Sequence, residues 1–191
     1  MNMLDEDCVA AVLIGGASRR MGVDKATLDI GGVALGRVVA EALGVNDGRM
    51  VIACGGTAET AGALGLAHLA DDRPGEGPLV ATASVLRAFA GRDVIIAACD
   101  LGGLDRSTVK RFEQPGLLGD HDVAVAVVEQ RQPSLARWAS SALPFIDEMI
   151  AGGERSLHGA LDHLRVVDVE VEPSVLVNLN TPADFEAWQR L

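Results

Sequence analysis

Residues 15–25 read Gly15-Gly16-Ala17-Ser18-Arg19-Arg20-Met21-Gly22-Val23-Asp24-Lys25 and concentrate the cations of a strongly acidic chain in one glycine-rich stretch. Gly15, Gly16 and Gly22 let the backbone turn sharply and approach a ligand closely. Arg19, Arg20 and Lys25 stand against the single anion Asp24. Exposed backbone amides beside cations are what holds phosphate. The stretch has neither the spacing of the Walker loop nor the Gly-x-Gly-x-x-Gly of dinucleotide folds. A second chemical position is Asp100, in Cys99-Asp100-Leu101, directly after the apolar run 93–99. A carboxylate at the carboxyl end of a buried strand suits a magnesium ion, which keeps its waters and takes its remaining oxygens from substrate phosphates. One aspartate is then enough. Asn178 and Asn180 are two residues apart, so in an extended chain they share a face and can read the edge of a polar ligand. Asp71 and Asp72 open a loop that runs to Gly77-Pro78-Leu79, where they serve either a ligand or the turn itself.

These positions need a scaffold, and apolar runs alternating with helical spacing supply one. Cys8–Ile14 has the composition of a fully buried strand. A helix is expected over 35–43, with Val38, Val39, Ala42 and Leu43 on its apolar face, ending at Gly44. A strand over 50–54 closes on Gly55-Gly56; a helix over 58–64 and a strand over 66–70 follow. Pro78 starts a helix that runs to residue 90. Strand 93–99 precedes a helix over 107–112. The second half gives strands at 123–128 and 133–138, helices at 142–151 and 156–164, strands at 166–171 and 175–177, and a helix from Pro182, capped by Thr181. Strand–helix alternation through residue 112 predicts a Rossmann-like parallel sheet between two helical layers, with an antiparallel strand inserted in the less regular second half. Ligands of such sheets bind beyond the carboxyl ends of the strands. The first four strands deliver Gly15, Gly55, Asp71 and Asp100 there.

A length of 191 residues predicts one α/β domain. With 49% hydrophobic residues and only 3% aromatic, the chain has the material for a sheet covered by helices, not for disorder. A net charge of −11 disfavours nucleic acid and anionic membranes as partners. An anionic ligand must therefore be caught by local cations, which is what the 15–25 stretch offers. Cys8, Cys54 and Cys99 lie far apart in apolar runs and read as reduced, buried thiols without zinc spacing. His68, His121, His158 and His163 have no partner at ligand or dyad spacing. The acidic start lacks the features of a signal peptide, and no apolar run nears the roughly 18 residues that span a membrane. A cytoplasmic protein is expected.

The pattern Gly-Gly-x-Ser-x-Arg-Met-Gly-x-Asp-Lys at 15–25 resembles the signature loop of the molybdenum cofactor guanylyltransferases, the MobA family of nucleotidyltransferases. The resemblance extends to Asp100, to Asp71 with Gly77-Pro78-Leu79, and to Asn178-Leu179-Asn180-Thr181-Pro182. It implies a three-layer nucleotidyltransferase fold and transfer of GMP from GTP to molybdopterin or its molybdenum-loaded form. Leu13, Ile14, Gly15 and Gly16 would then edge the nucleotide, and Arg20 and Lys25 would meet the pyrophosphate charge. Asp100 would hold Mg²⁺, Asp71 would contact the nucleotide, and Asn178 and Asn180 would lie near the pterin substrate. Arg155, in Gly153-Glu154-Arg155, resembles a family segment and could meet a terminal phosphate or simply start a helix. Two departures bear on the pocket. Gly102-Gly103 replaces Pro-Phe after the metal aspartate, and Cys54-Gly55-Gly56 stands where the family places a base-contacting Asn.

A cytidylyltransferase on the same cofactor, or another small-phosphate nucleotidyltransferase, would share every one of these motifs. A catalytically silent nucleotide-binding regulator is the alternative of a different class, and the missing Gly-x-Gly-x-x-Gly argues against a dehydrogenase. A monomer or weak homo-oligomer is expected.

Overall fold

The structure is a computed structural model that describes residues 8–15, 24–177, 179 and 184. Its centre is a seven-stranded sheet in the order β5-β4-β1-β6-β8-β7-β9. The strands are β1 (Cys8–Leu13), β4 (Val51–Cys54), β5 (Ala67–Leu69), β6 (Asp93–Ala98), β7 (Val123–Val127), β8 (Arg131–Trp138) and β9 (Val166–Glu170). A separate hairpin pairs β2 (Asp29–Ile30) with β3 (Val33–Ala34). Its central residues Gly31 and Gly32 have φ of 63° and 92°, the left-handed backbone that a two-residue hairpin turn demands.

β1 runs parallel to both β4 and β6, and β4 parallel to β5. β8 lies antiparallel to β6 and β7, while β7 and β9 are parallel. One reversed strand in an otherwise parallel sheet is the arrangement expected. β1 is buried at every residue, because it has a neighbour on each side and helices on each face. That is why its sequence is a continuous apolar run.

Helices α1 (Leu35–Ala42), α2 (Ala58–Ala63), α3 (Pro78–Ala88), α4 (Arg106–Phe112), α5 (Leu143–Ala151) and α6 (Leu157–Leu161) complete the layers. Leu35, Val39 and Leu43 are fully buried at i, i+4, i+8 spacing. Val38, expected on that face, is only half-buried. The strand expected at 175–177 is instead part of a 3-10 turn at Pro173–Leu176. Pro173 has no N–H for a ladder, and the Glu172 carbonyl is taken by Val175 N–H at 3.0 Å. The helix expected from Pro182 lies outside the described residues, apart from Asp184, which is helical.

At the amino end of the sheet, buried charges are paired. Arg137 donates to Asp93 Oδ2 at 2.9 Å and to the Phe112 carbonyl at 3.1 Å. Arg49 meets Glu113, which also receives Arg106 Nη1 at 2.7 Å. Asp122 takes Arg165 Nη2 at 2.8 Å. These groups tie helices and loops to strand starts, far along the strands from the opposite edge, where the site residues gather.

Candidate functional site

The carboxyl ends of β5, β4, β1 and β6 sit side by side, so the loops leaving them share one edge of the sheet. Leu13 and Ile14 end the central strand with their side chains 7% and 5% exposed, committed to the core. Their backbones are committed as well: the Leu13 carbonyl accepts Cys99 N–H at 3.2 Å and Ile14 N–H donates to the Cys54 carbonyl at 3.0 Å. Gly15 is the first exposed residue. A Cβ at Gly15 would come within 3.1 Å of Gly56 N. Gly55 and Gly56 have φ of 76° and 60°, so the loops after β1 and β4 pass backbone to backbone. No side chain fits between them. His68 Nε2 lies 3.0 Å from the Gly55 carbonyl and steadies the second loop.

Across β1, the loop after β6 carries Asp100. Its Oδ2 lies 2.7 Å from Lys25 Nζ, with side-chain exposures of 23% and 14%. Two residues 75 apart in sequence are thereby brought to one point on the edge. Lys25 begins a 3-10 turn, Lys25–Thr27, capped by Asp24, whose Oδ1 accepts Ala26 N–H at 3.1 Å. The other Asp24 oxygen, Oδ2, accepts the hydroxyl of Thr60 at 2.6 Å. Thr60 is buried in α2, where Thr57 caps the helix by accepting Thr60 N–H at 3.1 Å. The anion next to Lys25 is therefore a clamp between the 15–25 stretch and α2. The sequence marks Asp24 only as the single anion of its stretch, and Thr60 not at all. An aspartate just before a short turn is a recognisable cap, but Thr60 carries no signal of its own.

Asp100 is suited to a divalent cation. Its Oδ1 is buried and makes no hydrogen bond, while Oδ2 receives Lys25. A carboxylate oxygen withdrawn from water without a donor is costly, and a hard cation is the partner that suits oxygen ligands. Among the described residues no group of three or more His, Cys, Asp or Glu could enclose a metal. Asp100 alone therefore suits a divalent cation that completes its coordination with water and phosphate oxygens.

Asp100 is held by its backbone too. Its carbonyl accepts Gly102 N–H at 2.9 Å and Leu179 N–H at 3.0 Å. Leu179 is fully buried with Ile30 and Leu35. Gly102-Gly103, the departure noted above, therefore faces the segment from Ser174 to Leu179.

Asp71 is half-buried and accepts Arg73 N–H at 3.1 Å; Ser84 Oγ lies 3.4 Å away. This is an Asx turn that starts the loop after β5. Gly77 leads into α3, and Leu79 N–H donates to the Arg155 carbonyl at 3.2 Å. The Arg155 guanidinium donates to the Ile150 and Glu154 carbonyls at 2.7 and 2.8 Å and lies 3.1 Å from Glu76. It binds the end of α5 to the loop before α3, a structural task. Gly16, Arg19, Arg20, Gly22, Asn178 and Asn180 lie outside the described residues.

Cys54 and Cys99 end the two strands that deliver these loops. Burial pushes each thiol up to about 12, reinforced by the charge of Asp71 at Cys54 and of Asp100 at Cys99. Cys8, Cys54 and Cys99 are all buried, and none is in a disulfide. They are packing residues, not nucleophiles.

Residues 10–166 match the family model of the MobA-like NTP transferase domain. The chain is 32% identical over 187 residues to the molybdenum cofactor guanylyltransferase of Cereibacter sphaeroides, covering 94% of each chain. It is 32% identical over 184 residues to the probable molybdenum cofactor guanylyltransferase of Mycobacterium ulcerans, covering 92% of this chain and 90% of that one. In fold it resembles the crystal structure of molybdopterin-guanine dinucleotide biosynthesis protein A from Archaeoglobus fulgidus. The TM-score is 0.78 at 24% identity, over 95% of this chain and 96% of that one.

Proposed function

The chain belongs to the MobA-like NTP transferase family, and from that premise we propose that it transfers GMP from GTP to molybdopterin, or to its molybdenum-loaded form, with release of pyrophosphate. The curated relatives carry the name of that activity over nearly the full chain. The observation that carries the mechanism is the 2.7 Å pair of Lys25 and Asp100 at the carboxyl edge of the sheet.

The acceptor is a phosphate monoester, already anionic near neutral pH, so the reaction needs no general base. An acceptor oxygen forms a bond to the α-phosphorus of GTP, and the bond from that phosphorus to the pyrophosphate oxygen breaks. The enzyme's task is alignment of the two phosphates and neutralisation of the charge that grows on the leaving group. Lys25 is the cation proposed to meet that charge, and Arg20 is its proposed companion. The backbone amides of Gly15 and Gly16 border the nucleotide where β1 ends at Leu13 and Ile14. A divalent cation, Mg²⁺ in this reading, would be held by Asp100 and would supply charge neutralisation at the phosphate oxygens. In this reading Asp71 serves the nucleotide, and Asn178 and Asn180 serve the acceptor.

Two further features fit this reading. Buried cysteines outside any disulfide suit a reducing compartment, in this reading the cytoplasm. Among the described residues no helix is long and apolar enough to cross a membrane. The acid surface favours small-molecule substrates over nucleic acid or membrane, and we take the enzyme to act as a monomer or weak homo-oligomer.

The test is pyrophosphate release with GTP or CTP and Mg²⁺, with and without molybdopterin. Release only with GTP and acceptor together is expected. Turnover with CTP instead would make it a cytidylyltransferase, a change that Gly55-Gly56 leaves room for because neither residue offers a side chain to read a base. GTP binding without release would make the chain a regulator.

A further inference from the structure

The loop after β6 carries Gly102-Gly103, and the structure shows what packs against the two glycines. A Cβ at Gly102 would lie 2.2 Å from Leu179 Cδ1, and one at Gly103 would lie 2.0 Å from the Ser174 carbonyl oxygen. A side chain at Gly103 would collide with backbone, and one at Gly102 would have to displace the Leu179 side chain. Leu179 fills the notch at Gly102, is fully buried, and packs with Ile30 and Leu35 in a cluster apart from the main core. Its N–H donates to the Asp100 carbonyl at 3.0 Å, on the same oxygen that takes Gly102 N–H at 2.9 Å.

We propose that Leu179 is a positioning residue for the transfer, seated in the Gly102 notch so that it fixes the peptide of Asp100 and hence the direction of the Asp100 carboxylate. Two N–H groups converging on one carbonyl leave that peptide little rotational freedom. The carboxylate's partnerless oxygen, Oδ1, hangs from the same residue. Leu179 lies between Asn178 and Asn180 in sequence, so the contact also couples the metal-bearing loop to the segment proposed to face the acceptor. The glycine pair and the leucine work as one unit.

This inference rests on the reading of Asp100 as the cation's ligand, and complementary substitutions test it separately from that reading. The variants are Leu179→Ala, Gly102→Ala and the double variant, each checked for native circular dichroism. Mn²⁺ affinity is measured by titration calorimetry in the presence of GTP, alongside kcat and KM. Leu179→Ala, which keeps its backbone N–H but vacates the notch, should weaken Mn²⁺ binding about threefold or more, with kcat falling in step. Gly102→Ala should weaken it at least as much. In the double variant the new methyl group enters the space the leucine left, so its affinity should be no worse than that of the poorer single variant. Independent, multiplying losses would overturn the proposal. So would a Leu179→Ala protein that melts earlier yet binds Mn²⁺ and turns over normally, since that outcome makes the leucine a packing residue only. Should Asp100→Asn bind Mn²⁺ as tightly as the parent, the assignment of the metal ligand fails first, and the positioning role of Leu179 falls with it for a distinguishable reason.

Discussion

Lys25 Nζ and Asp100 Oδ2 meet at 2.7 Å across the carboxyl edge of the sheet. One residue closes the glycine-rich stretch after β1 and the other follows β6, and the register of those adjacent parallel strands brings them together. The proposed phosphate cation and the proposed metal carboxylate thus share one point, partly shielded from water. Charge at such a point acts more strongly than on an open surface.

Lys25→Ala should lower kcat by about 10²–10³-fold, the scale of losing one preorganised group aimed at developing charge. The side chain ends at a partly exposed edge, so the fold should survive. Steady-state pyrophosphate release together with thermal melting checks both halves. A Lys25→Ala enzyme with unchanged kcat ends the mechanism.

The clamp between Asp24 and Thr60 should matter out of proportion to its distance from the phosphates. Thr60→Val keeps the shape but leaves Asp24 Oδ2 without the hydroxyl that now donates at 2.6 Å. A hydrogen bond to a charged group is worth about 1.5–3 kcal/mol, so kcat/KM for GTP should fall about tenfold or more. Thr60→Ser should restore it. Equal kinetics in all three proteins would show that Asp24 does not steer Lys25.

Cys54 and Cys99 should resist thiol reagents in the native protein. With thiols pushed up to about 12, only ~1 in 10⁴ is ionised at pH 8, and the thiolate is the reacting form. Titration with a chromogenic disulfide should show both silent until denaturant is added. Fast modification of either in the folded enzyme would contradict the burial seen here.

Asp122 should make stability depend on acid. Hydrogen bonds from the Arg165 side chain hold its carboxyl below the usual carboxylate range, with burial opposing them. A depressed carboxyl contributes stability above its unfolded pKa of about 3.9 and loses it as pH falls through the lower folded value. Asp122→Asn should therefore cost about 1–2 kcal/mol at pH 7, discounted because the Arg165 side chain is 60% exposed. The difference should shrink in strong acid. Urea midpoints at pH 7 and in acid read this out, and an equal deficit at both would remove the ionic explanation.

Much of the architecture was legible because buried parallel strands announce themselves as continuous apolar runs. Cys8–Leu13 and Asp93–Ala98 are the clearest cases. The reversed strand β8 was foreseeable from the break in strand–helix alternation. The 29–34 hairpin went unforeseen, since its strands have only two residues each. The strand expected at 175–177 failed because proline chemistry turned the chain before a ladder could form.

The sequence by itself determined the reaction type. Glycines, cations and the Asp24-Lys25 pair lie within one short stretch, and Asp100 directly follows an unmistakable strand, so local pattern carries the chemistry. Tertiary structure alone decided which groups meet. The pairing of Lys25 with Asp100, the grip of Thr60 on Asp24, and Leu179 in the notch at Gly102 span 75, 36 and 77 residues of sequence (the last from 179 − 102). Nothing in periodicity or spacing encodes contacts across such intervals. They arise because parallel strands deposit distant loops on one edge, where close packing fixes which side chain lies against which.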